Sequence, residues 1–208
     1  MAARAASPRS KPFTAAIHEL AARGDPAVLL DVDGTVLFAT DAWERFIRTT
    51  GAFGATPIGT RLSAGIQGEL PREVFEELLA RVIRGHTGRS LTVTSECNGP
   101  DRARLVTSQL SPVLAGPEVI GVALVVRVVR DVPAFEVYPV VEARADAYRN
   151  AEGAPEQCCC CRRTRRPSEP AEWDFVPALV AAPPPETTYA YCPLCRELHD
   201  PLGGDPEA

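Results

Sequence analysis

Val28-Leu29-Leu30-Asp31-Val32-Asp33-Gly34-Thr35-Val36-Leu37-Phe38-Ala39-Thr40-Asp41-Ala42-Trp43-Glu44-Arg45-Phe46 is the stretch on which the fold turns. Val28, Leu30 and Val32 alternate as a strand, Asp33-Gly34 is a strong hairpin turn, and Val36 to Phe38 return. Asp41 then stands where a helix cap belongs, with Trp43, Phe46 and Ile47 on one helical face and an end near Gly51. A hairpin feeding directly into an amphipathic helix gives a sheet edge and part of its cover.

Upstream, residues 1–12 read as a disordered lead. Thr14 is placed to cap a short helix through about Arg23, with Phe13 before the cap and Ile17 and Leu20 on one face; Gly24-Asp25-Pro26 stops it. Downstream, a Gly- and Pro-containing loop runs to Gly59. Pro71–Arg84 is the clearest helix: Val74, Phe75, Leu78, Leu79, Val82 and Ile83 form one stripe, and Gly85 follows as C-cap. Three β segments come next, about 89–97, 103–111 and 119–129. Asn98-Gly99-Pro100-Asp101 turns the first into the second, and Ser111 to Glu118 the second into the third. A β-hairpin, helices and three antiparallel strands together make an α+β pattern. Beyond Asp131, a mixed apolar segment with Phe135, Val137, Val140 and Val141 leads into a polar, helical Val141–Asn150.

The chain has 208 residues, room for one domain of about 100 residues and a smaller unit. A net charge of −5 argues against bulk binding to nucleic acid or an anionic membrane. No run of apolar residues is long enough for a transmembrane helix. The basic N-terminus has no apolar segment behind it, which argues against secretion. Lys11 is the single lysine, so a mechanism needing a catalytic lysine has little to draw on.

The second informative stretch is Cys158-Cys159-Cys160-Cys161 with Cys192-Pro193-Leu194-Cys195. Two residues between ligands let a tight turn point both sulfurs at one metal, and two such turns complete a four-thiolate shell. Only Cys158 and Cys161 in the first run have that spacing, which makes Cys159 and Cys160 spectators, although a slip to Cys159 would serve. Cys158, Cys161, Cys192 and Cys195 are therefore the expected zinc ligands. With every position filled by sulfur the role is structural, and no water is activated. Six of the seven cysteines fall in this unit, which suits a reducing cytoplasm better than a disulfide framework. Cys97, in a predicted strand, reads as a small buried hydrophobe. His18 and His199 carry no motif.

Three resemblances follow from these residues. The order of elements over 25–131 resembles that of the PAS fold. Asp33 to Phe46 is similar to the bacterial PAS stretch in which a hairpin leads into an Asn-x-Ala-Trp-x-x-Phe helix, with Thr40 in place of the usual Asn. Ile58-Gly59-Thr60 resembles the loop after it, and Cys97-Asn98-Gly99-Pro100-Asp101-Arg102 resembles the Cys-His-Ser-Pro-Asp-x hairpin of the same subgroup. The resemblance implies a sensor that binds a small ligand between sheet and helices and dimerises through flanking helices. The run of residues that marks flavin-binding light sensors is missing, and His86 would be the candidate haem ligand, or a solvated loop residue beside a helix end. Second, Cys161-Arg162-Arg163-Thr164-Arg165, Trp173 and Tyr191-Cys192-Pro193-Leu194-Cys195 are similar to a cysteine tail on bacterial PAS and histidine-kinase proteins. Third, Leu29 to Leu37 resembles the first motif of haloacid-dehalogenase-type phosphatases, which would make Asp31 the nucleophile and Asp33 the proton carrier. That chemistry needs a parallel α/β sheet and a later cation and acidic pair, which the downstream sequence does not offer.

The resulting expectation is an α+β protein: a PAS-like five-stranded antiparallel sheet with helices on one face, plus a small zinc-ribbon-like module. Its parts are a lead and flanking helix (1–24), the sensor domain (25–131), a linker or helix (132–157), the four-cysteine unit (158–200) and a disordered tail (201–208). The expected function is cytoplasmic, bacterial-type signalling without catalysis, through a protein partner and a possible homodimer, with structural zinc, no membrane and an unknown ligand. The alternatives are a zinc-ribbon transcriptional regulator contacting nucleic acid through Arg162–Arg166, and the phosphatase on Asp31 and Asp33.

Overall fold

The structure, a computed structural model, describes residues 10–50, 57–85, 89–142, 145–168 and 170–199. Its larger part is a five-stranded antiparallel sheet of β1 (Ala27–Asp31), β2 (Val36–Ala39), β3 (Leu91–Glu96), β4 (Arg102–Ala115) and β5 (Glu118–Pro133) in the order β2-β1-β5-β4-β3. Between β2 and β3 the chain forms α2 (Asp41–Thr50), a short 3-10 turn at Leu62–Gly65 and α3 (Glu69–Arg84). This is the α+β, PAS-like arrangement that the element order implied.

The expected hairpin forms, with Gly34 N–H donating to the Asp31 carbonyl at 3.1 Å. Gly34 sits at φ +77°, a conformation that favours glycine, and a Cβ there would lie 3.0 Å from Leu79 Cδ2. The cap of α2 is Thr40, the hydroxyl that the PAS resemblance places at the helix start, and not Asp41. Its Oγ1 accepts from the Trp43 N–H at 3.2 Å and from the Ala27 N–H at 3.0 Å, and donates to the Asp25 carbonyl at 3.0 Å. One buried hydroxyl thus starts the helix and ties it to the first residue of β1.

Strand β1 is buried at Ala27, Val28, Leu29 and Leu30, where alternation between core and solvent was expected. The reason is that both faces are covered. Val28 and Leu30 join Trp43, Phe46, Leu78, Leu79 and Val82 in the main core under α2 and α3. Ala27 and Leu29 face the other way, into a second cluster with Leu20, Ile120 and Val125, against which Phe13 and Ile17 of α1 (Ser10–Arg23) pack. That helix begins at Ser10, before the expected cap at Thr14, so residues 10–12 are not part of an irregular lead. Strands β4 and β5 are longer than expected, 14 and 16 residues, joined by a tight turn at Gly116-Pro117 rather than a long loop.

After β5, a 3-10 turn at Ala134–Glu136 places Tyr138 in a cluster with Ala103, Phe175 and Val180. The predicted helix over 141–150 is, among the described residues, only a 3-10 turn at Ala145–Tyr148. The C-terminal unit is a small sheet of β6 (Glu156–Cys158), β7 (Thr164–Arg165), β8 (Trp173–Asp174) and β9 (Thr188–Ala190), with α4 (Pro177–Ala181) and α5 (Pro193–His199). Its order is β8-β7-β6-β9, with β6 and β9 parallel. No described helix is long and apolar enough to cross a membrane.

Candidate metal centre and adjoining cavity

Strand β6 ends at Cys158 and the chain reverses at once. Cys158 N–H donates to the Arg163 carbonyl at 2.7 Å, and Arg162 N–H to the Cys158 carbonyl at 3.0 Å. The reversal needs Arg162 at φ +62°, the one described non-glycine residue in that region. The second pair uses a helix start: Cys192 precedes α5 and Cys195 lies in its first turn. Backbone N–H groups of Cys192 and Cys195 point at the sulfurs of Cys158 and Cys192, each at 3.5 Å.

Cys158, Cys161, Cys192 and Cys195 are fully buried, and their sulfurs all lie within 4.8 Å of one another. Cys161 and Cys192 Sγ are 3.6 Å apart. Four sulfurs about 2.3 Å from one ion in a tetrahedron stand about 3.8 Å from each other, so the arrangement can hold a metal. The donor set is all sulfur, which suits soft or borderline ions. Such crowding makes the thiols share protons: hydrogen bonds from Cys159 and then Cys161 lower Cys158, and the bond with Cys158 raises Cys161. Cys159 and Cys160 are half-buried and lie outside the cluster of four sulfurs.

Arg163 reaches back over the cluster, its Nε donating to Cys161 Sγ at 3.2 Å and its Nη2 to Cys192 Sγ at 3.3 Å. Arg165 pairs with Glu156, and Arg166 pairs with Glu172 and Asp174. Three of the four arginines in the basic run are thus committed inside the unit. Trp173 and Tyr191 pack on the cysteines from outside.

The unit docks on the sheet at the β3–β4 turn. Asn98, 1% exposed, donates through Nδ2 to the Cys161 carbonyl and to the Tyr138 hydroxyl, both at 2.9 Å, and accepts from Arg104 N–H at 2.8 Å. Sequence reading saw Asn98 only as a turn residue; nothing in its spacing shows a partner at Cys161. Cys97, beside it, is partly buried, and desolvation pushes its thiol up to about 11.

Between α3, the inner face of the sheet and the cysteine unit lies a cavity of 180 Å³. Phe46, Val74, Phe75, Leu78, Val93 and Leu110 supply apolar wall. Cys159, Cys160, Arg162 and Tyr191 close it from the cysteine unit. The sequence could not show this, because the wall comes from segments far apart in the chain.

The remaining candidates separate. Asp31 Oδ1 accepts from the N–H groups of Asp33 at 2.9 Å and Thr35 at 2.8 Å, so this carboxylate shapes the hairpin. The sheet around it is antiparallel, not the parallel one that the phosphatase needs. His18 is exposed on α1, His199 ends α5, and His86 lies outside the described residues.

No protein-family model matches the chain, and no curated protein matches it. Solved structures similar to part of it include the sensor region of a sensor histidine kinase, at 21% identity and TM-score 0.41 over 51% of this chain and 39% of that one. The PAS domain of Bordetella pertussis BvgS matches at 16% identity and TM-score 0.46, over 57% of this chain and 86% of that one. The phage VqmA–DPO complex matches at 16% identity and TM-score 0.42, over 58% of this chain and 54% of that one. The chain thus spans well under two thirds of the length of the first and third.

Proposed function

We propose that this chain is a signalling protein of bacterial type: a PAS-like sensor and dimerisation module joined to a structural zinc module, acting through contacts with a protein partner in the cytoplasm. The observation that carries the reading is the junction itself. A cavity on the helix-covered face of the sheet has the four-cysteine unit as part of its wall. Two units built this way can pass a change in one to the other through packing. Zinc is the preferred ion because four buried thiolates complete a tetrahedral shell, and binding it would hold together a unit whose strands are only two or three residues long. The flanking helix α1 is the proposed dimer contact.

The expected activity is binding, not turnover. Arg163, Arg165 and Arg166 are assigned to holding the cysteine unit together and Arg162 to the cavity wall, not to nucleic acid. Elemental analysis of the purified protein tests the metal, with one zinc per chain expected. A metal-free preparation whose tail is indifferent to chelator would overturn the zinc half of the proposal. Sedimentation across a concentration series tests the dimer, and a single monomeric species throughout would remove that part.

A further inference from the structure

We infer that Cys159 and Cys160 build a second thiolate site for a soft divalent cation, sharing Cys158 and Cys195 with the first, so that the unit can hold two ions on six sulfurs. The inference rests on the four-cysteine unit being a metal centre, as proposed above, and concerns the two cysteines which that reading leaves unused.

Contact comes first. Cys160 packs against the four-sulfur cluster, and both extra cysteines are half-buried rather than turned out to solvent. The Cys159 thiol hydrogen-bonds with Cys158, the Cys160 thiol with Cys195, and the two extra thiols with each other. Cys158 also meets Cys195, so Cys158, Cys159, Cys160 and Cys195 form a closed ring. This ring and the first four sulfurs have one edge in common, Cys158 to Cys195. Two tetrahedra joined along an edge need that pattern: two shared sulfurs, and two terminal ones for each ion.

The remaining contacts divide the same way. Arg163 donates to Cys161 and Cys192, the two sulfurs that would stay terminal on the first ion. The extra thiols fall on the other two, which would do the bridging. Cys159 and Cys160 also line the cavity beside α3, which gives an ion a route to them from outside the unit.

Charge decides which ion. A divalent cation brings two positive charges, and the two thiols release two protons to solvent as it binds, so the charge of the unit is unchanged. A monovalent ion would leave an added negative charge in a buried place, which is costly. An all-sulfur donor set selects a soft ion over magnesium or calcium. Spacing sets the order of filling. The first four sulfurs lie within 4.8 Å of one another, whereas the contacts of the ring run along its sides. The first site therefore fills first, and the second takes its ion from excess.

The test uses cadmium, which displaces zinc from sulfur, added in excess to the full-length protein and followed by cadmium NMR after unbound metal is removed. The wild type is expected to hold two cadmium ions per chain and to give two resonances, each split by the other through the shared sulfurs. Replacing both Cys159→Ala and Cys160→Ala should leave one ion and one unsplit resonance, and that resonance shows that the unit still folds. One cadmium in the wild type would end the second site while the four-cysteine centre stands. Two unsplit resonances would end the sharing of Cys158 and Cys195, and with it the inference. A double variant that keeps two ions, or loses both, would overturn the division of ligands. A wild type that takes no cadmium would remove the metal centre of the proposed function as well.

Discussion

The side-chain amide of Asn98 donates to the backbone carbonyl of Cys161 across 2.9 Å, joining the β3–β4 turn of the five-stranded sheet to the knuckle of the cysteine cluster. The same side chain meets Tyr138 and the backbone of Arg104, so both of its donors and its oxygen are engaged. Around it, Tyr138 stacks on Phe175 at 5.0 Å and lies under Arg163, which itself holds two cysteine sulfurs. The junction is therefore a polar knot inside an apolar seam, and such knots are sensitive to the loss of one member.

Replacing Asn98 by alanine removes three hydrogen bonds and leaves the Cys161 carbonyl and the Arg104 N–H without this partner. We expect a loss of about 3 kcal/mol in urea unfolding. A change under about 1 kcal/mol would mean that water or rearrangement replaces the amide freely.

Arg163→Met should keep the apolar stem over Tyr138 and remove both contacts to sulfur. Groups that hydrogen-bond to metal ligands commonly change affinity by about 10- to 100-fold, and we expect a fall in that range in competition with a chromophoric chelator. Unchanged affinity would assign Arg163 to packing alone.

Cys195→Ser should remove bound metal and expose the unit. Trp173 packs on the cysteine cluster, so its fluorescence should shift to the red, and amide exchange should rise in β6 and at Asn98. Exchange in β1 and β5 should stay slow, because their core lies under α2 and α3. Loss of protection throughout the chain would show one cooperative unit instead.

Asp131 lies 2.7 Å from Arg102 Nε and 3.4 Å from Arg104 Nε. Partial burial pushes its carboxyl up, but the Arg102 hydrogen bond and the two guanidinium charges outweigh this and hold it below its ordinary value. A depressed folded-state value adds stability above the ordinary carboxylate range, and this is lost as pH falls through the depressed value. The wild type should therefore melt above Asp131→Asn at neutral pH, with the two curves converging in acid. A constant difference at every pH would sink the assignment.

Asp31→Asn should leave no activity to lose, since the wild type is expected not to turn over a generic phosphate ester. Its effect should be a modest loss of stability, about 1 kcal/mol, from weakened turn hydrogen bonds. Measurable hydrolysis by the wild type that vanishes in Asp31→Asn would reinstate the phosphatase.

Much of this was legible locally. Asp33-Gly34 marks a hairpin because a tight turn demands a residue at positive φ, and the stripe from Val74 to Ile83 marks α3 because its spacing follows the helical period. The paired cysteine spacing brings the four sulfurs to mind because short turns are encoded in short stretches. The failures share one cause. Spacing alone points to Asp41 as the cap of α2, whereas Thr40, which the PAS resemblance puts there, caps it because its hydroxyl also meets Asp25 and Ala27. Strand β1 lost its alternation because α1 covers the face that would otherwise meet water. Of the helix expected at 141–150, the described residues form only the 3-10 turn at Ala145–Tyr148, and Val141 N–H pairs instead with the Phe175 carbonyl of a distant segment.

Turns, helical stripes, the succession of strands and the two knuckles are all written in the chain, since each depends on residues a few positions apart. Folding in three dimensions is what rests the knuckle on Asn98, sets Arg163 over the sulfurs and brings Arg162 to a cavity walled by α3 and the sheet. Those contacts join segments separated by tens of residues, and their geometry is set by which apolar faces bury together. No local pattern encodes that.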